Sequence, residues 1–98
     1  MEIDNRAIRL EINRGLGTIG RIKIMAELAK QPKNSFTKYL LQKGTGLKRN
    51  DLKENLKHLT AINWVKEHKS IYPKYQINLD HQIVQLVHNF FKKSGYIL

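Results

Sequence analysis

The chain has no cysteine among its 98 residues, so disulfides, thiolate-bound metals and a cysteine nucleophile are all excluded. It has no apolar run approaching the roughly 18 residues of a membrane span. Met1-Glu2-Ile3-Asp4 lacks the basic-then-apolar order of a secretory signal. A cytoplasmic or nucleoid location is the default expectation, with no membrane partner. Acid is also scarce: 8 acidic residues stand against 18 lysines and arginines, for a net charge of +10 and a pI near 10.0. Lysine-rich surfaces that serve ion-pair networks carry glutamate in comparable number, so this excess predicts attraction to a polyanion instead. The hydrophobic fraction of 41% and the scattered aromatics are those of a chain that folds. Its length allows one domain, residues 1–98, with a modest core and little room for a separate catalytic lobe.

The first segment, Asp4 to Arg14, carries two periods. Ile8, Leu10 and Ile12 alternate like a strand, whereas Ile3, Ala7 and Leu10 repeat like a helix, and the helical reading is adopted here. Gly15 and Gly17 are expected to break it, leaving residues 1–17 as an N-terminal extension. Thr18 then caps a core helix running to about Lys30, with Ile19, Ile22, Met25, Ala26, Leu28 and Ala29 as its apolar face. Pro32 and Lys33-Asn34 form a loop, and Ser35-Phe36 a short extended piece.

From Thr37 to Leu59 the pattern is two short helices about a glycine turn. Thr37 is the N-cap of the first, Tyr39, Leu40 and Leu41 are its apolar residues, and Gly44 with Gly46 ends it. In the second, Leu52, Leu56 and Leu59 lie on one stripe facing a core. The opposite side presents Asn50, Lys53, Glu54 and Lys57, with Lys48 and Arg49 at the entrance. This is the construction of a helix-turn-helix whose second helix enters a major groove. The pattern then turns extended. Trp64 and Val65 begin a strand through His68, and Tyr75, Ile77 and Leu79 alternate with polar residues in a second. The basic, aromatic-bearing loop between them, Lys69 to Pro73, makes the pair a β-hairpin wing, in which Pro73 is tolerable only at an edge or a strand start. Asp80 is the expected cap of a last helix from His81 to about Ser94, closed by Gly95. Its apolar residues spread too widely for one small domain to cover, so Ile83, Val84, Val87, Phe90 and Phe91 are assigned to a second subunit.

The order of elements resembles the winged helix-turn-helix DNA-binding domains of archaeal and bacterial transcription regulators, over roughly Gly20 to Gly95 and nearest to small lysine-rich archaeal members. The words that carry the resemblance are Gly20-Arg21-Ile22-Lys23-Ile24, Phe36-Thr37-x-Tyr39-Leu40, Thr45-Gly46-Leu47, Leu52-x-x-x-Leu56-x-x-Leu59, Asn63-Trp64-Val65 and Tyr75-x-Ile77-Asn78-Leu79. It implies a mainly α fold with a small β-hairpin wing, and homodimers on double-stranded DNA. It also implies base or phosphate contacts from Lys48, Arg49, Asn50, Lys53 and Lys57, phosphate contacts from Thr37 and Lys38, and wing contacts from Lys69, Ser70 and Lys74. Two features depart from the usual pattern. Lys48 stands where a serine or threonine cap is common, and the wing has no arginine, which favours backbone contact over minor-groove reading. The runner-up functions are an architectural chromatin protein of low specificity and a protein-interaction module.

Other motifs carry less. Gly15-Leu16-Gly17-Thr18-Ile19-Gly20 matches G-x-G-x-x-G, but charged and amide residues interrupt the segment before it and no acidic residue follows at the ribose-binding distance. It is read as a connector. His58, His68, His81 and His88 have no carboxylate-rich setting for a metal, and the serines have no general base. No cofactor, metal, small-molecule substrate or enzymatic activity is expected. Asp51 and Glu54 are read as local ion-pair partners, Glu54 alternatively as an acceptor for a cytosine amino group. Trp64 is read as core at the base of the wing.

Overall fold

The computed structural model describes residues 5–97, so Ile3 and Asp4, where the first helical repeat was expected to begin, lie outside the described residues. The order is α1 (Asn5–Leu16), α2 (Ile19–Ala29), β1 (Phe36–Thr37), α3 (Lys38–Thr45), α4 (Arg49–Ala61), β2 (Val65–His68), β3 (Lys74–Ile77) and α5 (Gln82–Ser94). The helical reading of the first segment holds, but α1 runs through Gly15 instead of stopping there. Gly15 is a contact glycine. A Cβ there would lie 2.1 Å from Trp64 Cη2, so the missing side chain lets α1 lie directly on the tryptophan ring.

Both threonine caps form. Thr18 Oγ1 accepts from Arg21 N at 3.1 Å and Thr37 Oγ1 from Leu40 N at 3.3 Å, each satisfying a helix-start amide that would otherwise lack a partner. Helix α3 passes through Gly44 and ends at Thr45, capped by Gly46, whose φ of 72° is the left-handed conformation that glycine adopts without strain. At the start of α5 the expected cap is displaced by one residue. His81 Nδ1 accepts from Ile83 N, while the Asp80 carboxylate instead pairs with Lys66 Nζ at 2.8 Å.

The sheet has three antiparallel strands in the order β1-β3-β2, with Val65 opposite Ile77 and Phe36 opposite Tyr75. Pro73 lies just before the central strand, where its missing N–H costs no ladder bond. Beneath the sheet, Ile24, Met25 and Leu28 of α2 meet Leu41, the leucine stripe of α4, and Trp64, all essentially inaccessible. Ile19, expected in that face, is 71% exposed.

Four of the five α5 residues assigned to a second subunit are instead used by the chain itself. Ile83, Val84, Val87 and Phe91 are all buried in its own core, and Phe90, at 63%, stays exposed, as does Leu86. The rotation of α5 about its axis decides this division, and an apolar count along a helix does not contain that angle.

Candidate nucleic-acid interface

Leu52, Leu56 and Leu59 anchor α4 inward, which fixes the opposite side of the same helix outward. Lys48, Arg49, Asn50, Lys53, Glu54 and Lys57 are exposed there. Lys48 is the N-cap residue with extended backbone and no side-chain capping bond, so its amino group is not used by the helix start. Lys38 is exposed at the first position of α3. Two clefts flank α4 and share Lys38 and Lys53. One, of about 540 Å³, lies between α3 and the start of α4 and is lined by Tyr39, Gln42, Arg49 and Asn50. The other, of about 430 Å³, lies between α4 and the hairpin and is lined by Lys57, Thr60, Glu67 and Tyr75.

The charge on this face is not spent internally. Lys30–Glu27 and Lys66–Asp80 form ion pairs, and no ion pair among the described residues involves Lys38, Lys48, Arg49, Lys53, Lys57, Lys69 or Lys74. Asp51 and Glu54 make no ion pair among the described residues either, which removes the local-pairing reading. Asp51 sits in the first turn of α4, where a carboxylate favourably meets the helix dipole.

In the hairpin, Lys69 and Lys74 are exposed, but the Ser70 hydroxyl donates to Tyr72 O at 2.7 Å and shapes the loop. Thr37 is half-buried with its oxygen committed as the α3 cap. The structure thus brings Lys38 and the α4 residues onto one face, with Lys69 and Lys74 on the neighbouring hairpin. Sequence reasoning places Ile71 and Tyr72 in the aromatic-bearing wing loop but gives them no site role. Ile71 and Tyr72 are 90% and 76% exposed at the hairpin tip, and Tyr72 with Tyr39 and Pro73 flanks a cleft of about 280 Å³. Tyr75, in sequence a strand residue, also lines the cleft between α4 and the hairpin. Burial first, and the Glu67 carboxylate second, push its phenol pKa above the ordinary 10.0.

Three of the four histidines have hydrogen-bond partners: His58 bonds Arg14 O, His68 bonds Gln76, and His81 bonds Glu11. No group of three potential metal ligands occurs among the described residues. No helix among them is long and apolar enough to cross a membrane. The glycine motif makes no phosphate cradle, because its first glycine lies within α1 against Trp64 and its third within α2 against Asn55.

Solved structures share this arrangement over nearly their whole length. HlyU from Vibrio cholerae N16961 superposes with a TM-score of 0.68 at 19% identity, covering 93% of this chain and 98% of its own. The second is the homodimeric winged helix-turn-helix DNA-binding domain, fragment 1–100, of Mb0332 from Mycobacterium bovis, a possible ArsR-family transcriptional regulator. It superposes with a TM-score of 0.65 at 18% identity over 96% of this chain and 87% of that one. The fold is a winged helix. Both neighbours are bacterial, whereas the sequence resemblance leans to archaeal members. No protein-family model and no curated protein sequence matches the chain. In winged-helix terms, α3 and α4 are the helix-turn-helix and β2–β3 the wing.

Proposed function

We propose that the chain is a duplex DNA-binding protein that regulates transcription by occupying its site as a homodimer, with α4 in the major groove and the wing on the backbone. One observation carries the reading. The exposed face of α4 presents Lys48, Arg49, Lys53 and Lys57 with no carboxylate partner among the described residues, on a helix whose other side is locked into the core. Such cations displace condensed counterions from phosphates, while Arg49 and Asn50 at the helix entrance are of the types that bond base edges. The homodimeric DNA-binding domain of Mb0332 has the same fold and supports the paired arrangement.

The test is duplex affinity measured against salt for the wild type, Lys53→Ala and Lys57→Ala. A slope that becomes shallower by about 0.9 for each lost phosphate contact is expected. A wild-type slope near zero, or unchanged affinity in both variants, would remove the proposal. A second reading, an architectural protein coating DNA, draws on the preponderance of lysine over arginine on α4, since an ammonium lacks the planar fork that reads guanine. Equal competition by random and selected duplexes would favour it.

A further inference from the structure

The cleft between α4 and the wing holds a polar group the reading above leaves unused. Tyr75 is only 4% exposed, its ring packed in the core, yet its hydroxyl has no hydrogen-bond partner among the described residues. Nor is that hydroxyl sealed in: the buried side-chain polar atom without a partner among the described residues is Arg21 Nε. The hydroxyl therefore opens on the cleft that Tyr75 lines, where Lys38, Lys53 and Lys57 converge from α3 and α4. Three lysines that line the cleft, none with a carboxylate partner among the described residues, and one O–H donor match a tetrahedral oxyanion in sign and in hydrogen-bond sense.

Duplex geometry says which oxyanion this is. The wide major groove and the narrow minor groove of B-DNA are separated by a sugar–phosphate strand. A helix seated in the first with a wing beside the second must leave that strand in the space between them. That space is this cleft. Resting on the duplex-binding reading, we propose that Tyr75 is a DNA-binding residue, its hydroxyl donating to a backbone phosphate that Lys38, Lys53 and Lys57 hold in the cleft. A phenol is protonated at neutral pH at its ordinary pKa, and burial raises this one further, so it acts as a donor throughout the working range. Glu67, on the wing side of the same cleft, opposes the phosphate and limits the affinity.

A neutral donor and a cation leave different marks. Losing a hydroxyl bond to a charged group weakens binding without changing counterion release, whereas losing a lysine also reduces the release. The experiment titrates a labelled duplex of mixed sequence by fluorescence anisotropy between roughly 50 and 200 mM salt. Tyr75→Phe, which keeps the ring in the core, is expected to bind about tenfold more weakly at every salt concentration, with a slope parallel to wild type. Lys57→Ala should show a shallower slope, and Glu67→Gln, at an exposed position, tighter binding. If the wild type binds with salt dependence but Tyr75→Phe superimposes on it, this inference is overturned while duplex binding stands. If the wild type does not bind at all, both fall. Inorganic pyrophosphate titrated alone separates a free phosphorylated ligand from a nucleic-acid strand. No Tyr75-dependent binding is expected, and tight Tyr75-dependent binding would reassign the cleft and overturn the proposal.

Discussion

Replacing Gly15 by alanine sets two effects against each other. In a helix interior alanine is favoured over glycine by about 1 kcal/mol, so at an open position the change stabilises. Here the added carbon would stand 2.1, 2.2 and 2.4 Å from Cη2, Cζ3 and Cε3 of Trp64. The carbon–carbon optimum is about 3.5–4.0 Å. The ring has no freedom to yield. Trp64 is 0% exposed, and its indole N–H donates to Glu11 Oε2 at 2.6 Å. The helix must therefore lift off the wing root, at a cost near the upper end of overpacking, about 3 kcal/mol. Subtracting the propensity gain leaves a net loss of about 2 kcal/mol. For a domain of this size each kcal/mol moves Tm by about 4–8 °C, so a fall of about 12 °C is expected in far-UV circular dichroism melts. In a Trp64→Phe background the benzo ring that blocks the Cβ is gone, and Gly15→Ala should become neutral or stabilising; the double-mutant cycle reads the coupling. A Gly15→Ala protein melting at or above wild type would refute the close seating of α1 on Trp64.

Three further outcomes are expected. Leu56→Ala empties a site that is 1% exposed and should cost about 2–5 kcal/mol, read as a lowered urea midpoint. Tyr75 gives stability an alkaline limit, because above pH 10.0 the unfolded chain sheds a phenolic proton that the folded chain keeps. Its contribution is full below that pH and declines as pH rises from 10.0 to beyond the folded pKa; Tyr75→Phe should flatten that decline in denaturation curves taken across the range. Phe90→Lys, at a position 63% exposed, should leave Tm nearly unchanged yet shift a proposed dimer to monomer in sedimentation, and an unaltered sedimentation coefficient would place the interface elsewhere.

Much of the framework was legible because it depends on local rules. The leucine stripe of α4 appears at spacings that only a helix brings to one face, and Thr18 and Thr37 cap as their hydroxyls predict. The wing followed from alternation about Trp64 and Tyr75. What escaped depends on tertiary placement. Gly15 and Gly44 read as helix breakers, but both lie inside helices, where a Cβ would collide with Trp64 and Glu27 respectively. Asp80, the expected cap, stands next to His81; His81 takes the cap while Asp80 pairs with Lys66 of β2, a contact the local sequence does not contain. The cleft that Tyr75 lines is assembled from four elements, α3, α4, β2 and β3, and no local pattern announces it.

Glu11 holds both the indole of Trp64 and the imidazole of His81, tying α1 to the wing root and to the N-cap of α5. As the chain has a single tryptophan, its ultraviolet emission is a built-in optical gauge of that three-way joint. Loosening the amino-terminal helix wets the fluorophore and shifts its colour to the red, so strain reaching the wing from the far side of the molecule registers without a dye.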